Sequence, residues 1–335
     1  MKRITVNKYT ILFSTTLLLL GAVCGYFFGY QKKVSDVSIS NTQALRENTN
    51  QYQFIHPLLA VNRTDIGTPS PVYVSLYNKV NDFFSQQKKL GLLDTASVYF
   101  INYGSKSGSF AINEKARYAP ASLLKVVIMV AYLKQADSHP ELLDRKYMYV
   151  TNIADNLEAI PFSSPSTLVI GQSYSVSDLI DAMIIHSDNG AMNLLADNID
   201  PAYLSTVYSD LGLKGPGDSS AYTISAEDYS LFFRILFNGT YLSDKNSERA
   251  LSILSKAVFS DGLVAGVPAG TVVAHKFGEH INSTSEQVSS IELHDCGYIY
   301  AKQGPYLLCI MTRGKTLDGV QSTISGISKL IYSYL

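Results

Sequence analysis

The sequence predicts an α/β (α+β) fold: one five-stranded antiparallel sheet flanked by terminal helices, with a mostly helical subdomain inserted against its other side. One N-terminal transmembrane helix precedes it. Three observations carry this reading. Strand-like runs fall in two groups, two near residue 100 and three after residue 270, and a helix-patterned stretch of roughly 120–260 separates them. An amphipathic helix closes the chain. Ahead of everything lies a run of 22 residues, Tyr9 to Tyr30, that carries no charge.

At about 1.5 Å per residue that run is about 33 Å long as a helix, enough to cross a bilayer. Lys2, Arg3 and Lys8 precede it and favour a cytoplasmic N-terminus, although Lys32 and Lys33 on the far side weaken the asymmetry. No A-x-A-like cleavage site ends the run, and Gly21-Ala22-Val23 is a poor lead-in for lipidation of Cys24. An uncleaved anchor is therefore preferred over a signal peptide. The expected order is a cytoplasmic tail at 1–8, a transmembrane anchor at 9–30, a polar stalk at 31–70 and a domain at 71–335. The helical subdomain occupies about 137–260, and the whole domain lies outside the cytoplasm on a single-pass membrane protein. Gly21, Gly25 and Gly29 share one helix face, the small-residue spacing through which two such helices pair as a homodimer. Within the stalk, Phe54-Ile55-His56-Pro57-Leu58-Leu59 is apolar enough to dock on the domain.

In the domain, a helix from Ser75 is expected because Leu76, Val80, Phe83, Phe84 and Gln87 make one stripe. Ser97–Tyr103 and Ser109–Asn113 read as strands around a Gly-Ser-Lys-Ser-Gly turn. Pro/Ser/Gly-rich breaks at 161–173 and 214–220 divide the helical middle. Thr271–Phe277, Leu293–Ala301 and Tyr306–Thr312 are the three later strands, the last two joined by a turn at Lys302-Gln303-Gly304-Pro305. From Asp318, Val320, Ile324, Ile327, Ile331 and Tyr334 recur at helical spacing.

A net charge of −1 with 16% charged residues argues against a nucleic-acid partner. Of three cysteines, Cys296 and Cys309 fall on adjacent strands. Packed free thiols are the preferred reading there, and a cross-strand disulfide is the alternative. His275, His280 and His294 lie close together, but no Cys/His set has metal-ligand spacing, and no cofactor is called for.

The chemistry concentrates at Ser122-Leu123-Leu124-Lys125, which follows Pro120-Ala121 and leads into the wholly apolar run Val126–Leu133. Proline suits the start of a helix, and i, i+3 spacing stacks Ser122 and Lys125 on one face. A helix apolar on every side is buried, and a lysine on it loses proton affinity by desolvation. A neutral amine beside a hydroxyl is a general base, so Ser122 is the candidate nucleophile and Lys125 its base. Ser85-Gln86-Gln87-Lys88 has the same spacing on an amphipathic helix and reads as surface. Ser187-Asp188-Asn189 follows between two helical stretches, and Lys276-Phe277-Gly278 at the end of a strand. In isolation Ser187-Asp188-Asn189 is also good helix-capping chemistry. Lys106-Ser107-Gly108 resembles the last element more literally but lies in a hairpin turn upstream of the serine.

With these three elements in this order, the chain from about Ser97 to its end resembles the class A β-lactamases and their penicillin-recognising serine hydrolase relatives. The resemblance implies a β-lactamase/transpeptidase-like architecture, in agreement with the pattern. It implies that Ser187 relays a proton to the leaving nitrogen and that Asn189 holds the substrate amide and Lys125. It further implies that Lys276 offers a fixed positive charge to a substrate carboxylate, and that Gly278 lets the backbone approach. The Glu279 N–H would join that of Ser122 at the oxyanion. Two departures stand out. No glutamate lies between Asn189 and Thr223, where such enzymes carry the residue that activates the deacylating water; the acids there are Asp197, Asp200, Asp210 and Asp218. Phe277 replaces a hydroxyl that would bond the substrate carboxylate, and its ring either enters the core or lines the cleft. The expectation is thus a membrane-anchored serine hydrolase that opens β-lactams or a related amide through a Ser122 acyl-enzyme, with slow deacylation. A peptidoglycan D,D-carboxypeptidase and an inactive cell-envelope scaffold are the alternatives.

Overall fold

The computed structural model describes residues 52–56, 66, 68–150, 162, 166–217, 222–283 and 288–335. The predicted tail, the anchor, the Gly21/Gly25/Gly29 face, most of the stalk and Asp218 lie outside the described residues. Among those described, no helix is long and apolar enough to cross a membrane.

In chain order the main elements are helix α1 (Val74–Lys89), strands β1 (Thr95–Asn102) and β2 (Gly108–Ile112), then helices α2 (Leu124–Ala136), α3 (Val176–Ile185), α4 (Asn189–Asn198), α5 (Pro201–Asp210), α6 (Ala226–Phe237) and α7 (Asp244–Leu254). Strands β3 (Val272–Ser283), β4 (Val288–Ala301) and β5 (Gly304–Gly314) and helix α8 (Leu317–Tyr334) complete it. The five strands form one sheet in the order β2-β1-β5-β4-β3, and every neighbouring pair is antiparallel. The last strand therefore pairs with the first, which leaves β3 at an edge. The expected strand at Thr271–Phe277 continues to Ser283, six residues further, because its pairing with β4 persists through Gly278 and Glu279.

The sheet is covered on both faces, so its strands are buried almost continuously rather than in alternation, as in Ile291–Ile299 of β4. Alternate residues serve different cores. Val98, Phe100, Leu308 and Ile310 join the layer beneath α1 and α8, whose buried stripes are Leu76, Val80 and Phe84 on one and Val320, Ile324, Ile327 and Ile331 on the other. Tyr99, Tyr298, Leu307 and Met311 face the helical side, where α2 is buried from Lys125 to Leu133. The uniformly apolar run thus folds as the central rod of the helical layer.

Cys296 and Cys309 are direct register partners on β4 and β5 and form a disulfide, which corrects the preference for free thiols. Strand assignment alone leaves register open; with these two residues opposite each other, bonding is the natural outcome. Within the predicted stalk, residues 52–56 lie against the domain. The Glu248 carboxylate on α7 accepts from the backbone N–H groups of Gln53, Phe54 and Ile55, and Phe54 and Ile55 are buried.

Candidate active site

Ser122 lies in a 3₁₀ turn, Ala121–Leu123, that runs directly into α2. Two elements hold this turn from outside. Both backbone groups of Ala119 are tied to β4, its N–H to Glu292 Oε2 at 2.8 Å and its carbonyl to His294 Nε2 at 3.0 Å. Tyr229 of α6 donates its hydroxyl to the Leu123 carbonyl at 3.0 Å. Ala121 has φ of +48° and Ser187 +55°, two of only three described non-glycine residues with positive φ. Such conformations persist where surrounding contacts over-determine them, and here both border the same cavity.

That cavity, of about 290 Å³, is open to solvent and lined by Ala121, Ser122, Leu124, Phe162, Ser187, Asn189, Met192, Phe277, Glu279 and His280. The Lys125 amine is fully buried behind it and donates to Asn189 Oδ1 at 2.7 Å, to Ser187 Oγ at 3.1 Å and to the Ser187 carbonyl. Lys276 donates to the same Ser187 Oγ at 3.0 Å and to the Phe277 carbonyl at 3.0 Å. Two lysines therefore converge on one hydroxyl. Burial lowers the Lys125 pKa to about 7, against the opposing pull of Asp188. Burial, then the neighbouring Lys125, puts Lys276 well below the ordinary lysine range. Burial and the neighbouring Lys125 thus work against the charge expected at Lys276, while the Phe277 ring 4.1 Å from its amine and Asp295 work for it.

No hydrogen bond joins Ser122 to Lys125 among the described residues; the amine is taken up by Ser187 and Asn189. The structure brings Ser122, Ser187, Asn189, Phe277 and Glu279 to one cavity and sets Lys125 and Lys276 behind it. Gly278 sits where the sheet edge meets the serine turn. A Cβ there would lie 2.7 Å from the Pro120 carbonyl oxygen and 2.9 Å from Leu123 Cγ, so any larger residue would push β3 away. Phe277 does both things considered for it. Its ring stacks on Phe259 at 4.1 Å between centroids and also lines the cavity, with the Lys276 amine 4.1 Å from its centroid. The copies set aside at Ser85–Lys88 and Lys106–Gly108 have their serine and lysine exposed.

Ser187-Asp188-Asn189 divides its side chains: Ser187 and Asn189 meet the Lys125 amine and line the cavity, while the capping falls to Asp188. Asp188 caps α4 through the Ala191 N–H and also binds Ser166 Oγ and the Thr167 N–H, fastening a neighbouring segment to the site. Sequence reasoning missed this second role, as it missed the Glu292 and His294 grip on Ala119. It also missed the side chain of Glu279. One carboxylate oxygen accepts from the Phe162 N–H at 3.0 Å, while Oε1 is buried with no partner among the described residues. Burial raises this pKa to about 7. The only sequence signal is a carboxylate within an otherwise buried strand.

The family model of the Beta-lactamase enzyme family matches residues 75–335. A comparison with curated protein sequences finds no match. Among solved structures, a variant of PBP-A in an acyl-enzyme complex with penicillin G is 22% identical, with a TM-score of 0.61, covering 77% of this chain and 96% of that one. A β-lactamase from Chitinophaga pinensis is 18% identical with a TM-score of 0.64, covering 77% and 98%. One from Desulfarculus baarsii is 23% identical with a TM-score of 0.62, covering 77% and 97%. These likenesses show a common fold, with the sheet and helical layer as described. The match over most of the domain places this chain in the β-lactamase enzyme family, as a serine hydrolase of the β-lactamase type.

Proposed function

We propose that Ser122 is the nucleophile of an acyl-enzyme formed with β-lactams or a related amide, and that its release by water is slow. The observation that carries this is the meeting of Lys125 and Lys276 at Ser187 Oγ, beside the cavity that Ser122 lines. With Lys125 near neutrality in proton affinity, the amine that has lost a proton gives up one of its three hydrogen bonds, turns the freed lone pair to Ser122 and takes the Oγ proton as the oxygen bonds to the carbonyl carbon. The C–N bond then breaks, and the proton passes through Ser187 Oγ to the leaving nitrogen. Asn189 fixes the Lys125 amine and has its other side on the cavity. The close approach at Gly278 supports the N–H groups of Ser122 and Glu279 as oxyanion donors.

Slow release rests on what the cavity wall offers a water. Among the described lining residues the only carboxylate is Glu279, with one oxygen engaged by Phe162, and the chain from 189 to 223 supplies no glutamate. Intact-protein mass spectrometry with benzylpenicillin tests the reading. A persistent adduct on Ser122, absent from Ser122→Ala, is expected; no adduct together with no loss of benzylpenicillin would overturn it.

The missing glutamate also favours a second reading, a D,D-carboxypeptidase acting on peptidoglycan stems, which shares the acylation step. Release of D-alanine from a D-Ala-D-Ala peptide distinguishes the two. The uncharged run at 9–30 supports anchoring of the domain on the outer face of the cell membrane, and the Cys296–Cys309 disulfide suits an oxidising compartment.

A further inference from the structure

Glu279 is a buried acid on the sheet wall it shares with Phe277 and His280, and among the described residues one of its oxygens has no partner. The residue is 5% exposed and lines the same cavity as Ser122, and among the described residues Oε1 has no hydrogen-bond partner while Oε2 accepts from Phe162 N–H. An unpaired carboxylate oxygen costs stability unless something supplies a donor. Phe162, Phe277, Met192 and Leu124 line the same cavity without a side-chain donor, and none of its donors, Ser122, Ser187, Asn189 and His280, is hydrogen-bonded to Glu279. The Lys276 amine spends its contacts on Ser187 Oγ and the Phe277 carbonyl, and its pKa is lowered by burial. Phe277 offers a ring where a hydroxyl would donate.

We infer that the Glu279 carboxylate is a specificity-determining group: it selects substrates that bring an N–H donor to this wall and disfavours those that bring a carboxylate. This rests on the Ser122 acyl-enzyme reading and narrows its substrate class. The preferred amide is neutral or cationic beside the scissile bond, and a free carboxylate there is repelled by Glu279 in its ionised form. Like charges forced together at a desolvated site cost enough to change rates by at least about tenfold.

The experiment uses three probes that share one β-lactam ring: benzylpenicillin, its methyl ester and its primary carboxamide. Acylation rates of the full chain and of Glu279→Gln are read by intact mass spectrometry at pH 8. Each protein is scored by the ratio of its rates with different probes, which cancels any difference in the fraction folded. In the wild type the carboxamide is expected to react fastest and the free acid slowest. In E279Q the acid should gain about tenfold on the ester, while adduct lifetime stays the same. An acid that reacts as fast as the carboxamide in the wild type overturns the inference, as do ratios unmoved by E279Q. A longer-lived adduct in E279Q also overturns it, because Glu279 would then act on water. Adducts formed equally by all probes refute the inference alone, whereas no adduct from any probe refutes the Ser122 reading and the inference with it.

Discussion

The helical wall of the cavity presents Ser122, Ser187 and Asn189, backed by Lys125; the sheet wall presents Phe277, Glu279 and His280, backed by Lys276. On the first wall every polar side chain but Ser122 is hydrogen-bonded to the shared amine, and the groups match what the family resemblance implies. The second wall keeps the lysine and the glycine but sets a ring and an acid between and beside them. Lys125 and Lys276 nevertheless meet on one hydroxyl, so the two walls share one proton-handling centre. Under the proposed Ser122 acyl-enzyme, the contrast divides the two tasks: bond breaking would fall to the helical wall, and ligand recognition to a sheet wall whose Phe277 and Glu279 depart from the resemblance.

The most direct way to break this division is to disable the helical wall. Lys125→Met should lower the rate of Ser122 acylation by benzylpenicillin by about 10²- to 10⁴-fold, the usual worth of a positioned base. A loss below tenfold would mean that Lys125 does not take the proton, and Lys276 would have to be tested in its place. A smaller effect concerns pH. Lys125 accepts a proton only when neutral, and burial holds its pKa at about 7. The acylation rate should therefore climb as pH rises from 5.5, with a midpoint near 7, and level off above 8. Stopped-flow rates with the benzylpenicillin carboxamide, which has no carboxylate to titrate or to be repelled, would isolate this. A flat profile would place the base elsewhere.

Much of the helical wall was legible in the sequence because its parts are local. Serine and lysine three residues apart on an all-apolar helix define both the burial and the loss of proton affinity, and Ser187-Asp188-Asn189 lies at a helix start whatever its purpose. The sheet was legible for a similar reason, since period and turn residues mark strands. What remained hidden depends on register and on pieces distant in the chain. The disulfide needed Cys296 opposite Cys309, the grip on Ala119 needed residues 173 and 175 positions away, and the meeting of Lys276 with Lys125 needed Ser187 between them. Glu279 looked like a backbone donor because its neighbour Gly278 invited that role. Only the position of Phe162 shows that its carboxylate is enclosed with one oxygen unpartnered.

The smallest expected effect separates the walls without any substrate. The Glu279 pKa stands raised from 4.5 to about 7 by burial. Below pH 4.5 the group is neutral folded or unfolded and costs nothing. Between pH 4.5 and about 7 the unfolded chain has lost a proton that the native carboxyl still holds, so native stability falls across that window and levels off above it. Glu279→Gln cannot titrate, and its melting temperature relative to wild type should rise between pH 5 and pH 8, on the order of a few degrees. Lys125 has the opposite shift, from 10.5 down to about 7. Its burial disfavours the native state fully below pH 7 and progressively less up to 10.5. Relative to wild type, Lys125→Met should therefore lose ground between pH 7 and pH 9. Calorimetric melts of the two variants should slope in opposite directions. Parallel slopes would mean that the acid of one wall and the amine of the other titrate as a single coupled group, and the division between chemistry and recognition would fail.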